Sequence, residues 1–172
     1  MNLIRALLSA LLIPVAQMAL AEDWTGAYAG FTFGYTDADG PGGSGSNSGS
    51  IGASIGYDLD LGSFVVGGEL EYDRLNLDLG ASEGNLDSVS RVKLRGGYEF
   101  GPALGYVVVG AARANISGDS DTAAVYGIGV AYPLGDRLII SGEALRQNFN
   151  DVTRSRGDLD TNTFNLRTTF RF

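Results

Sequence analysis

Cysteine and histidine are both missing from the 172 residues. Without Cys there is no disulfide framework and no thiolate metal site. Without His, a Ser–His nucleophile cannot be assembled. Lysine occurs once, as Lys93, so any Ser–Lys pair would have to draw on it. Basic charge is scarce as well: 12 Lys and Arg face 20 Asp and Glu, a net charge of −8. That balance excludes nucleic-acid binding, which needs a basic footprint. After residue 21 long apolar runs are also missing. The most apolar piece, Tyr106 to Ala112, falls far short of the roughly 20 residues of a spanning helix. The remaining classes are a soluble protein and a β-barrel.

What is present begins with a secretory signal. Arg5 supplies a positive start, Ala6 to Val15 an apolar run, and Ala19-Leu20-Ala21 a small-residue cleavage site. Cleavage after Ala21 leaves residues 22–172 as a single mature domain of 151 residues, with 11 basic against 20 acidic side chains, net −9.

The last twelve residues, TNTFNLRTTFRF, alternate. Phe164, Leu166, Phe170 and Phe172 fall on one face of a strand, and Thr163, Asn165, Arg167, Thr169 and Arg171 on the other. Seven further segments read the same way: about Trp24 to Thr36, Ile51 to Asp60, Phe64 to Asp73, Arg91 to Phe100, Leu104 to Asn115, Ala123 to Tyr132 and Arg137 to Gln147. Strand 5 alternates least, with Val107 and Val109 on the nominally polar face beside Arg113. Tight turns are expected at Leu61-Gly62, Gly101-Pro102 and Pro133 to Asp136, and longer loops at 37–50, 74–88, 116–121 and 148–160. Within 74–88, Leu75, Leu77 and Leu79 offer an alternative, an extension of strand 3 past a bulge. Strands of about 10 residues suit a tilted crossing of a bilayer. Trp24, Tyr57, Tyr72, Phe100, Tyr132 and Phe172 stand where interfacial aromatic girdles would lie.

The Trp24-Thr25-Gly26 opening with Tyr28 and spaced glycines, together with the alternating end at Phe172, resembles the small bacterial outer-membrane β-barrel family of the opacity and outer-membrane protein A type. The resemblance implies an eight-stranded antiparallel up-and-down transmembrane barrel in the outer membrane of a Gram-negative cell. It implies contact with outer-membrane lipid and lipopolysaccharide. It also gives Phe172 and Phe170 the role of the signal read by the barrel-assembly machinery. Enzymatic members of the family rely on a catalytic His, which this chain lacks, so a non-enzyme with a structural or cell-surface role is expected, without cofactor or metal.

The polar face carries the sharpest constellation. Glu69, Glu71 and Asp73 on strand 3 face Arg91, Lys93 and Arg95 on strand 4. A register in which paired numbers sum to about 164 would set Glu69 by Arg95, Glu71 by Lys93 and Asp73 by Arg91. Glu143 and Arg167 would meet similarly across strands 7 and 8. Charges inside a membrane barrel must pair, and eight strands leave an interior only wide enough for side chains. The expected outcome is a lumen plugged by ion pairs. A gate whose pairs exchange partners is the alternative, and a soluble ligand-binding barrel with the apolar face turned inward is a third. Arg156-Gly157-Asp158 matches an integrin-binding tripeptide, and Asn115-Ile116-Ser117 a glycosylation triplet. Asp119, Asp121, Asp158 and Asp160 lack calcium-loop spacing. Solvated loops account for all three.

Overall fold

A computed structural model describes residues 24–39, 45–78, 85–116, 119–149 and 159–172. Eight strands follow in chain order: β1 Gly26–Asp39, β2 Gly45–Asp60, β3 Phe64–Asp78, β4 Asn85–Phe100, β5 Ala103–Ile116, β6 Asp119–Pro133, β7 Leu138–Phe149 and β8 Leu159–Arg171. Each is antiparallel to the next, and β8 returns to β1, from Tyr28 opposite Arg171 to Asp39 opposite Asp160. Closure leaves no strand edge, which hydrocarbon demands because no water there can satisfy a bare backbone group.

Three connections are tight, and each turns on a glycine with positive φ: Gly62, Gly101 and Gly135. The third differs slightly from expectation. Pro133 still pairs with Ile139 as the last residue of β6, so the turn proper spans 134–137.

The strands are longer than the alternation implies. β1 and β2 run together to Asp39 opposite Gly45, absorbing most of the Gly/Ser-rich stretch read as a loop. That stretch is poor in apolar side chains, but its backbone is held by β1 on one flank, and β1 by β8 on the other. β3 continues to Asp78 past a register irregularity between Arg74 and Leu77, the bulged extension that the leucines allowed. β5 reaches Ile116, β6 begins at Asp119, β7 reaches Phe149 and β8 begins at Leu159. Sixteen residues, as in β2 and β4, tilted as outer-membrane strands are, span roughly 35–40 Å, against a lipid-facing band about 25 Å tall.

The two faces are now assigned. Outward-pointing side chains include Phe31, Phe33, Ile55, Leu70, Val92, Leu94, Ile128, Phe164 and Leu166, all exposed. An apolar belt of this extent around a closed barrel faces lipid, so the soluble barrel with its apolar face inward is excluded. In β5 both faces are apolar. Val107, Val109 and Arg113 point outward, correcting their assignment to the polar face, while Tyr106, Val108, Ala112 and Ala114 point in. The interior is thus asymmetric: apolar against β5 and β6, polar along β8, β1 and β2.

One aromatic is misassigned by the girdle reading. Tyr57, Tyr72, Phe100 and Phe172 are exposed and Tyr132 half-buried, but Trp24 is only 1% exposed. It lies inside the lower mouth, its ring 5.1 Å from the Arg171 guanidinium carbon and its backbone N–H donating to Asp60 at 3.1 Å. The apolar indole face is covered by a cation there rather than by lipid.

Candidate functional site

The charged side chains expected on the polar face do converge in the lumen, with a different register. Glu69 stands opposite Lys93, Glu71 opposite Arg91 and Asp73 opposite Val89, two residues from the expected alignment. The expected pairing of Glu69 with Arg95 and Glu71 directly across from Lys93 is therefore wrong. Asp73 and Arg91 do touch, but diagonally. Alternation alone leaves shifts of two residues equivalent, since each keeps acids facing bases on the same side.

Glu71 is the hub. Its Oε1 receives Arg91 Nη1 at 2.7 Å, and its Oε2 receives Lys93 Nζ at 2.7 Å and Arg167 Nη2. Lys93 Nζ also reaches Glu69 Oε1 at 2.7 Å and Glu143 Oε1 at 2.9 Å. Arg167 reaches the same two, Glu69 Oε2 at 2.8 Å and Glu143 Oε1 at 3.4 Å, and its Nε donates to Thr32 Oγ1 at 3.2 Å. The two cations from β4 and β8 thus share the same three carboxylates. Glu143 and Arg167 meet as expected, again diagonally, because their register partners are Asn165 and Ser141. Arg91 is completed by Asp73 and by Gln147 Oε1 at 3.1 Å. These side chains cross the lumen from β3, β4, β7 and β8, and all are buried.

The sequence matches the outer membrane protein beta-barrel domain family over residues 6–172. The chain belongs to that family. It is a protein of the outer membrane. Two solved outer-membrane barrels share its fold. The Ail attachment invasion locus protein of Yersinia pestis is 15% identical, with 86% of this chain and 99% of that one covered at a TM-score of 0.62. Neisserial surface protein A is 14% identical, with 86% and 98% covered at 0.60. Identities this low establish the shared architecture. No curated protein matches the sequence.

Below the hub the barrel holds a second group that the sequence reading missed. Arg95 pairs not with β3 but with Asp58 of β2, its Nε donating to Oδ1 at 2.7 Å and its Nη2 to Oδ2. Its guanidinium lies between two rings, 4.9 Å from the centre of Tyr28 and 5.4 Å from that of Tyr106. Tyr28 donates its hydroxyl to Glu69 Oε2 at 3.0 Å, tying this layer to the hub. The rings fit because glycines face them: a Cβ on Gly56 would strike Tyr28, and one on Gly129 would strike Tyr106. Asp58 was visible on the polar side of β2, next to Gly56 and Ser54. Looking only for partners within the β3–β4 hairpin hid it, since the strand beside β3 on its other flank supplies the acid.

Proposed function

We propose that this barrel is a non-enzymatic outer-membrane protein with a structural and cell-surface interaction role, its lumen plugged by ion pairs. The carrying observation is the Glu71 hub, where one buried carboxylate gathers cations from β4 and β8 in the middle of the interior. A surface role is supported by strands that exceed the height of the lipid band, so that their loop ends stand clear of the membrane. Residues 1–21 serve as the export signal and are cleaved. Assembly depends on Phe172 and Phe170 at the end of β8, read by the barrel-assembly machinery, and the outer wall rests against phospholipid and lipopolysaccharide. Residues 1–21 and the tripeptide Arg156-Gly157-Asp158 lie outside the described residues.

The experiment is conductance of the purified, refolded protein in planar bilayers. A plug gives no discrete openings, and stepwise openings in the unmodified protein would sink it. One observation favours a gated pore as the second reading. Lys93 and Arg167 hold the same three carboxylates, so partners are already in place for an exchange.

A further inference from the structure

The hub does not balance its own charge. Asp73 shares Arg91 with Glu71, and with it four carboxylates meet three cations: Glu69, Glu71, Asp73 and Glu143 against Arg91, Lys93 and Arg167. Arg95 does not make up the difference, because Asp58 holds it in the layer below. One negative charge is left over among these described side chains, and it falls on Asp73. The Oδ2 of Asp73 accepts from Arg91, but its Oδ1 has no hydrogen-bond partner, and the residue is fully buried. A buried charge without a partner is among the most costly features a fold can carry.

Further unpartnered polar groups stand on the adjoining wall of β8, β1 and β2. Neither amide atom of Asn165 is bonded, and Ser50 Oγ and Thr161 Oγ1 are also without partners. All three residues are more than nine-tenths buried. Two glycines bring the oxygens together. A Cβ on Gly34 would strike both Ser50 Oγ and Asn165 Oδ1, and one on Gly52 would strike Asp73 Oδ1. Gly34 pairs with Ser50 and Gly52 with Thr32, so the two glycines are diagonal neighbours and the oxygens face one stretch of wall. Hydrogen-bonded rungs frame it. Above, Thr36, Thr163, Gln147, Arg91 and Asp73 are linked across the lumen; below, Arg167 donates to Thr32. Thr161 continues the polar wall toward the loop end of β8. Water alone would satisfy Asn165 and Ser50 but leave the charge. A monovalent cation supplies the one missing charge and takes neutral oxygens as ligands, whereas a divalent ion would overshoot.

We propose that Asp73 Oδ1, Asn165 Oδ1 and Ser50 Oγ form a binding site for a monovalent alkali cation, set in the lumen wall on the loop side of the Arg167–Thr32 contact. The ion neutralises the charge that the hub leaves over and joins β2, β3 and β8 through their side chains. The site goes beyond the plugged-lumen reading and holds whether the hub is a plug or a gate, so its failure would leave the conductance experiment untouched.

The test uses the refolded barrel in neutral detergent at about pH 8, where ordinary carboxylates are ionised. Sodium chloride, the probe, replaces N-methylglucamine chloride at constant ionic strength, which holds screening fixed. The thermal midpoint and the line width of the sodium nuclear resonance are measured, and heat-modifiability on a gel verifies that each chain is folded. The native midpoint should rise with sodium along a binding curve, and the protein should broaden the resonance. Asn165→Ala and Ser50→Ala each remove one ligand and keep the charge, so half-saturation should move to about tenfold more sodium. Asp73→Asn should lose both the midpoint response and the broadening; if it fails to fold, the two alanine variants decide. Ser54→Ala removes another unpartnered hydroxyl, on the turn side of the Arg167–Thr32 contact, and should respond as the native chain does. A native midpoint and line width indifferent to sodium overturn the site and leave water or a proton in its place. A sodium response that survives Asp73→Asn also overturns it, as does one that Ser54→Ala weakens as much as Asn165→Ala and Ser50→Ala do.

Discussion

Glu71→Gln removes one carboxylate from contact with three cations. Each keeps another partner: Arg91 keeps Asp73, while Lys93 and Arg167 keep Glu69 and Glu143. No cation is left bare, so the cost should sit near the bottom of the 3–5 kcal/mol range for breaking a buried pair, about 3 kcal/mol. Adding Lys93→Met restores balance at one of three contacts, and the coupling between the two sites should be about 1–2 kcal/mol. The same cycle resolves the register. Asp58→Asn with Arg95→Gln should couple strongly, because the pair is bidentate. Glu69→Gln with Arg95→Gln should couple by less than about 1 kcal/mol, since those side chains meet only through Tyr28. Urea unfolding from lipid vesicles measures every corner. Additive Glu71 and Lys93 costs, or a Glu69–Arg95 coupling larger than that of Asp58–Arg95, would refute this account of the lumen.

Three further outcomes follow from the two faces. Deleting Phe172, 75% exposed at the end of the barrel, or making it charged should lower outer-membrane yield far more than a comparable change in residues 40–44; equal yields would separate Phe172 from assembly. Leu94→Arg or Ile128→Arg, both on the lipid face and more than 60% exposed, should cost about 2–4 kcal/mol near the bilayer midplane, and neutrality in a vesicle refolding titration would invert the inside–outside assignment. Gly56→Ala should cost about 1–3 kcal/mol by pressing its methyl into the Tyr28 ring, whereas Gly96→Ala, where a Cβ meets nothing within 4 Å, should change stability by less than about 0.5 kcal/mol.

What the sequence revealed and what it hid have one cause. Period-two alternation states which side of a strand a residue occupies, so Leu94, Ile128, Glu69 and Arg167 were placed correctly without a structure. It is silent on height. A shift of two residues preserves every face, and that is how Arg95 was paired with Glu69 when its partner is Asp58 on another strand. It fails where both faces carry the same chemistry, as around Val107 and Val108 in β5, or where composition argues against a strand, as in 45–50. Trp24 shows a further gap: an aromatic at a strand end suits a girdle or a mouth equally, and only the neighbouring Arg171 decides between them.

The two charged layers bear on conduction in a way that neither does alone. The hub around Glu71 is crossed by Lys93 and Arg167. Nearer the tight turns, Arg95 is clamped by Asp58 and sandwiched between Tyr28 and Tyr106. An ion that passed the hub would still meet that guanidinium and the Trp24–Arg171 pair below it. Glu71→Gln/Lys93→Met should therefore remain at baseline in planar bilayers, so a silent double variant does not by itself separate a plug from a gate. Adding Asp58→Asn and Arg95→Ala releases the lower layer and opens the space that the guanidinium fills. Conductance in the quadruple variant, with none in either double variant, is the expected pattern for two closures in series. Openings in the Glu71/Lys93 double variant alone would show that the lower layer already lets ions pass. Silence in the quadruple variant, with folding verified by heat-modifiability, would move the closure to the Trp24–Arg171 pair or to the apolar wall of β5 and β6, where Tyr106, Val108 and Val125 fill the interior.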